Sequence, residues 1–404
     1  MPTNFPEAQF CDDAPRRLPE RPNLRHLKDQ AKDLLKTGSA ASIADAQFRI
    51  ARLYGFTSWP KLKAHIDSVD SIAQLKEAID TNNLERVKAL MIRRPELHRA
   101  PLGYGKDGPL TWVAECRIPW EPPGPNRLAI AEWMIENGSD VHQGGDGPLM
   151  RAALNGVRIP MLELLVSHGA DVNAAWHGTF PILFAPCEAV NPVPLKWLLK
   201  HGADPDCAKT TGTALDYLIG SYVRDPERLA ACIEILFEAG GTTKYNNPAV
   251  LAILRSRPGD LAEQIDSDPE LASRRFPELD FGATGGRMLT LTGATLLHVA
   301  SEYCNLEAVH LLLDRGADVN ARALIDEAGI GGQTAIFHAV TQPDDVGLAI
   351  AWLLLARGSD LSIRAKLPGH YERPGEVVEC SPLEYAVLFP GNEGKAVALL
   401  RSEK

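Results

Sequence analysis

Gly293-Ala294-Thr295-Leu296-Leu297-His298-Val299-Ala300 is followed by Ala308-Val309-His310-Leu311-Leu312-Leu313 and then by Arg315-Gly316-Ala317-Asp318-Val319-Asn320. This run reads as two helices and the turn that closes them. Thr295 suits the N-cap of the first helix, because its hydroxyl can accept from an otherwise orphaned backbone N–H. The second segment carries its apolar residues at helical spacing. Gly316 supplies the left-handed residue that ends a helix without a Cβ clash, and Arg315 places a cation in the last turn, against the helix dipole. Asp318 and Asn320 then open a polar turn.

The closing phrase returns along the chain. It appears as Glu136-Asn137-Gly138-Ser139-Asp140-Val141, His168-Gly169-Ala170-Asp171-Val172-Asn173, His201-Gly202-Ala203-Asp204-Pro205-Asp206 and Arg357-Gly358-Ser359-Asp360-Leu361, with a worn copy at Glu238-Ala239-Gly240-Gly241. The glycines are 31, 33, 38, 76 and 42 residues apart, and the longest gap is two periods of 38. The opening phrase also recurs, as Gly147-Pro148-Leu149-Met150-Arg151-Ala152-Ala153, Gly332-Gln333-Thr334-Ala335-Ile336-Phe337-His338-Ala339 and Ser381-Pro382-Leu383-Glu384-Tyr385-Ala386. Self-similarity at a fixed period of this size signals a stack of helix pairs, each burying its apolar face on its neighbours.

Together the phrases resemble the ankyrin repeat, with its T-P-L-H-x-A start and G-A-D-V-N turn. The resemblance runs from about Ser71 to the C-terminus. It implies an all-α class: an ankyrin-repeat solenoid of helix-turn-helix units with extended β-hairpin loops, preceded by a small helical cap. The expected organisation is an extended arm over 1–22, a basic helical cap over 23–68 and an array over 69–404. The array holds about nine units, of which the first, sixth and last are degenerate.

The cap reads as three helices: Asn23 to Lys36, Ile43 to about Tyr54, and Trp59-Pro60 to Val69. It is similar to a leader seen on many bacterial ankyrin-repeat proteins. Between Arg16 and Lys63 there are 11 Lys/Arg against 4 Asp/Glu, an excess of +7, so the rest of the chain sums to -17. Three roles fit such a segment: a hydrophobic lid on the first repeat, a basic docking module for an acidic partner, or a DNA-binding element.

At 404 residues, 45% hydrophobic and 23% charged, the chain can bury a large core. Its net charge of -10 argues against broad nucleic-acid binding, which needs a basic face. No signal peptide and no apolar run of membrane-spanning length is visible; the longest, around Val346 to Ala356, stops at Arg357-Gly358. Seven scattered cysteines without a C-x-x-C pair read as reduced thiols, and with the missing signal peptide they suggest a cytoplasmic protein. A monomer is expected.

The resemblance also implies where a ligand sits. The ends of the first helices and the hairpin tips line a groove, which here includes Glu115, Cys116, Cys187, Glu188, Glu302, Tyr303, Thr341 and Gln342. One position that the family usually keeps small or aliphatic is Trp112, Arg151, Phe184, Tyr217, His338 or Tyr385 in this chain. Such rings either fill gaps between imperfect repeats or floor a groove for a specific ligand. Three connections, Ala272–Thr292, Arg322–Gly332 and Arg364–Cys380, are long, and the last carries His370, Tyr371 and Arg373. Hairpins of a solenoid project from one edge, so the three should meet.

The expected partner-binding residues are therefore Glu302, Tyr303, His338, Gln342, His370, Tyr371 and Arg373, with Trp112 and Glu115 as a second candidate set. A pKa near 6.5 would make His338 a source of pH dependence around neutrality. The expected partner is a protein or peptide. The competing reading is an enzyme or small-molecule sensor with a pocket under the three hairpins.

Catalytic signals are poor: no H-E-x-x-H, G-x-S-x-G or G-x-x-x-x-G-K-[ST] occurs. His298 and Glu302 lie four apart on one helix and could share a ligand, but the resemblance makes His298 a residue that bonds to backbone. A cysteine nucleophile with His338 or His370 as its base is a remote alternative. No catalytic residue, cofactor or metal site is assigned.

Overall fold

The computed structural model describes residues 15–19, 22–115, 124–207, 212–284, 286–389 and 394–402. Most of the expected N-terminal arm, together with Cys11 and Cys116, lies outside the described residues. The chain divides into two compact units, one of residues 1–113 with 124–140 and one of 114–123 with 141–404.

In the first unit, helices Leu24–Lys36 and Ile43–Leu53 start at Asn23 and Ser42, whose side chains accept from backbone N–H groups of the first turn. Leu27, Ala31, Ala46, Ile50, Leu62 and Ile66 form a buried cluster, flanked by Tyr54, Phe56 and Trp59. The third helix runs unbroken from Trp59 to Asp80. The boundary expected at 68/69 therefore falls inside a helix. The polar stretch Asp67-Ser68-Val69-Asp70-Ser71 contains no glycine or proline to stop it, and Leu75, Ala78 and Ile79 extend its buried face. Leu84–Arg93 and Pro125–Glu136 are further α-helices of the unit, as is most of Pro109–Glu115.

The second unit is a series of short helix pairs: Gly147–Ala153 with Ile159–Ser167, Phe184–Glu188 with Pro192–Lys200, Ala214–Ile219 with Pro226–Glu238, Pro248–Leu254 with Pro258–Ser267, Leu296–Glu302 with Leu306–Asp314, Ala335–Ala339 with Leu348–Ala356, and Pro382–Val387 with Lys395–Ser402. The repeated glycines do what the phrase requires: Gly169, Gly202, Gly240, Gly316 and Gly358 all have φ between +86° and +99°. In the unit lacking this glycine, Pro269–Ala272 makes a 3-10 turn instead.

The asparagine of the turn phrase ties repeats together. Asn173 Nδ2 donates to Gly202 O at 2.9 Å and its Oδ1 accepts from Asp204 N at 2.8 Å. Asn320 makes the same pair with Gly358 O and Asp360 N, at 3.0 and 2.8 Å.

Among the described residues, strands form two antiparallel hairpins, Ala175–Trp176 with Phe180–Pro181 and Ala365–Pro368 with Val377–Cys380, and isolated bridges join the long connections. The three long connections touch. Leu324 N donates to Gly293 O at 2.9 Å, Gly331 N to Lys366 O at 2.8 Å, and Tyr371 N to Gly286 O at 2.9 Å.

Candidate functional site

Helix Leu296–Glu302 opens with a buried cap. His298 Nδ1 accepts from Thr295 N at 3.2 Å, so its proton sits on Nε2, which donates to Gln333 O at 3.0 Å. Burial pushes the His298 imidazole down to about 3, so it stays neutral.

The same helix ends at Glu302, whose side chain is fully buried. Arg287 Nη2 donates to Oε1 and Oε2 at 2.6 and 2.5 Å. Arg224 reaches Oε1 with Nε at 3.0 Å and Nη2 at 2.8 Å. His338 Nδ1 lies 2.7 Å from Oε2 and donates to it. Burial works to raise the Glu302 carboxyl, but the two guanidiniums and the His338 hydrogen bond outweigh it and hold the group well below the usual carboxylate range.

Two cations thus share one anion, and carbonyl oxygens absorb the rest. Gly282 O accepts from both guanidiniums at 3.1 Å, and Ser221 O accepts from Arg224 Nη1 at 2.6 Å. Arg224 also lies over the Tyr303 ring, 4.6 Å from its centroid, while the Tyr303 hydroxyl donates to Ile219 O. Gln342 Nε2 donates to the carbonyls of Glu302 and His338 at 3.1 and 3.0 Å.

This arrangement corrects the expected orientation of four residues. Glu302, Tyr303, His338 and Gln342 do not face an open groove; all are buried. The reason is the Ala272–Thr292 connection, which folds onto them and inserts Arg287. The pH role expected of His338 changes too. Burial lowers its pKa, against the opposing pull of Glu302, so it is neutral at neutrality. Arg224 and Arg287 escaped the sequence reading, because nothing local marks an arginine 78 residues from its carboxylate as its partner.

The other expected residues lie elsewhere. The His370 ring packs 4.8 Å from Tyr371 and 6.0 Å from Phe389, and its backbone bridges to Arg287. Tyr371 is 54% exposed, and Arg373 pairs with Glu376 at 2.8 Å on the surface. In the first unit, Trp112 Nε1 donates to Asp80 Oδ1 at 2.7 Å and Lys76 lies over the ring. In the second, buried Glu115 accepts from Arg151 Nη2 at 2.9 Å. Of the aromatic positions, Phe184 and Tyr385 are buried, and Tyr385 Oη donates to Pro368 O at 2.9 Å.

Outside the ionic cluster, the long connections enclose a cleft of about 480 Å³ lined by Leu289, Leu324, Ile325, Ile330, Leu367 and Pro368 among others, with Asp326 the one charged residue in that lining. Met288, Leu324 and Ile325 are each about half exposed. Burial pushes the Cys304 and Cys380 thiols up to about 12 and Cys187 well above its ordinary value, which works against a thiolate nucleophile at any of the three. Among the described residues, no group of three or more His, Cys, Asp or Glu is placed to hold a metal ion, and no helix is long and apolar enough to cross a membrane.

A family model described as the ankyrin repeat matches residues 144–176 and 292–324. A solved structure of the human ASB11 ankyrin repeat domain is similar at 19% identity, covering 63% of this chain and 99% of that one, with a TM-score of 0.36. No curated protein matches the chain.

Proposed function

We propose, because the chain is an ankyrin-repeat protein and such repeats generally mediate contacts between proteins, that it is a scaffold holding a protein or peptide segment on the hairpin face of its second unit. The observation that carries this reading is the cleft between the long connections, apolar and open, with Leu324 and Ile325 at its rim and Tyr371 exposed on the neighbouring hairpin. A cleft with one charge in its lining suits an extended peptide that inserts an apolar side chain, and an exposed Tyr beside it has hot-spot chemistry. Backbone hydrogen bonds between the connections, such as Leu324 N to Gly293 O and Gly331 N to Lys366 O, pre-order the walls, so binding there costs little reordering. Arg287 fills the space beside Glu302 and His338, so a small-molecule ligand of the competing reading would take the same cleft.

The test is selection of a random displayed-peptide library on the full chain, followed by titration of the selected peptides. Ile325→Asp should weaken them by a factor of roughly ten or more, and Tyr371→Ala with Arg373→Ala should cost about 1–3 kcal/mol of binding and little stability. The buried Glu115 makes the second candidate set a poor binding probe, so Trp112→Ala in the first unit serves as the control. Selected peptides that ignore Ile325→Asp and Tyr371→Ala but are lost with Trp112→Ala would refute the assignment.

A further inference from the structure

A second surface of the same unit carries a carboxylate without a cation. Helix Phe184–Glu188 ends on Glu188, and Tyr217 of helix Ala214–Ile219 donates from its hydroxyl to Glu188 Oε2 at 3.1 Å. Tyr222, 51% exposed on the segment that follows, stands beside the same carboxylate. Burial raises its phenol above the ordinary value and Glu188 adds to the shift. Around them lie aromatic faces. The Phe184 and Tyr217 rings stack at 4.3 Å, Phe180 meets both edge-on at 5.8 and 5.7 Å, and Trp176 meets Phe180 at 6.3 Å.

Three other carboxylates of this unit are held by guanidiniums, whereas buried Asp216 is held by Thr213, Thr243 and the Lys244 backbone N–H. Glu115 has Arg151, Glu302 has Arg224 and Arg287, and Glu234 has Arg255 and Arg257. Glu188 joins no ion pair among the described residues and is only partly exposed, while Arg228 Nη2 donates to the carbonyl of the next residue, Ala189 O, at 3.4 Å. The Tyr217 hydroxyl orients the carboxylate without cancelling its charge. An oriented anion bordered by ring faces complements a guanidinium, which can take a carboxylate with its N–H fork and lay its plane on an aromatic ring. Residues 114–123 and 141–404 of this unit sum to -12, a field that draws a basic ligand toward it.

We propose that Glu188, Tyr217 and Tyr222 form a binding site for an arginine side chain of a basic partner segment. The site rests on reading the unit as a scaffold but is separate from the Leu324–Ile325 cleft. The rings of Phe180 and Tyr217 provide the stacking surface, Glu188 supplies the charge, and Tyr222 closes the exposed side.

The experiment titrates a fluorescein-labelled peptide of alternating glycine and arginine onto the full chain, at low and moderate salt, with an alternating glycine–lysine peptide beside it. Glu188→Gln removes the charge, Tyr222→Ala removes the exposed ring, and Glu307→Gln removes an exposed acid from helix Leu306–Asp314 as a control for diffuse attraction. Far-UV circular dichroism and melting confirm that each variant is folded. We expect Glu188→Gln to raise Kd roughly tenfold and Tyr222→Ala roughly threefold or more, Glu307→Gln and Ile325→Asp to leave it within about twofold, and the arginine peptide to bind tighter than the lysine one. Equal effects of Glu188→Gln and Glu307→Gln would mean only diffuse electrostatics and would overturn the site, as would no measurable binding by the wild type. Because Ile325→Asp should not matter here, failure of this site and failure of the cleft are read separately.

Discussion

Replacing Glu302 by glutamine tests the ionic cluster directly. The substitution keeps the shape and one acceptor oxygen but leaves Arg224 and Arg287, both buried, facing each other without an anion. Removing one partner of a buried pair costs about 3–5 kcal/mol, and here a single carboxylate serves two guanidiniums, so about 4 kcal/mol is a fair expectation. Repeats couple mainly to their neighbours, so the loss should concentrate in the C-terminal repeats. At about 2 °C per kcal/mol for a cooperative unit of this size, the melting transition of that part should fall by about 8 °C.

Hydrogen exchange read by mass spectrometry should show faster exchange across 272–292, the segment Arg287 anchors. Adding Arg287→Met to Glu302→Gln should recover part of the loss, because an apolar replacement no longer strands a charge. Acid gives a further check. The folded-state pKa of Glu302 is depressed. Its stabilisation is therefore present above the unfolded carboxyl value of about 4.3 and lost as pH falls toward the folded one. The variant should lack that component. A Glu302→Gln protein that melts within about 1 °C of wild type, with unchanged exchange over 272–292, would refute the idea that this carboxylate holds the connection down.

Three further outcomes are expected. His298 and His338 both have lowered pKa values in the folded state, so between those values and about 6.5 the unfolded chain takes up protons that the folded chain refuses. The urea midpoint should therefore fall on going from about pH 7.5 to about pH 5, and His298→Gln should flatten the slope; a midpoint that rises with acid contradicts the buried, neutral assignment. At Gly331, with φ of 123°, an added Cβ would stand 2.1 Å from Leu324 O. Gly331→Ala should cost about 2–3 kcal/mol and loosen the pairing of the second and third long connections; unchanged melting and exchange there would show that the turn is not constrained. A chain beginning at Val69 starts partway along helix Trp59–Asp80 and lacks the whole buried cluster of the cap. It should be less soluble, with its first unit destabilised in circular dichroism melts, and an unchanged soluble array would make the cap a separable module.

Legibility in the sequence followed the range of the interactions. Helix starts at Thr295 and Ser381, and helix ends at Gly169, Gly202, Gly316 and Gly358, depend on a few adjacent residues, so the period and the helix-pair architecture could be read directly. Where a helix lacks a stop residue, the reading failed. The helix from Trp59 to Asp80 crosses a polar stretch that looked like a boundary, because its next buried residues answer to packing and not to local pattern. Tyr371, Arg373 and the three long connections were visible as unusual loops, and the meeting of those loops followed from the repeat's geometry.

What the sequence by itself determined is thus the all-α repeat, its turn chemistry and the identity of the long connections, since each rests on contacts only a few residues apart. Only the tertiary structure decided which faces stay open. Glu302, Tyr303, His338 and Gln342 sit at groove positions of the pattern, yet Arg287 from one connection and Arg224 from a distant loop close over them. Glu188 sits at an equivalent position, accepts from Tyr217 and joins no ion pair among the described residues. Whether a groove carboxylate is sealed or left to a partner depends on which residue arrives from tens of positions away, and no local rule carries that information.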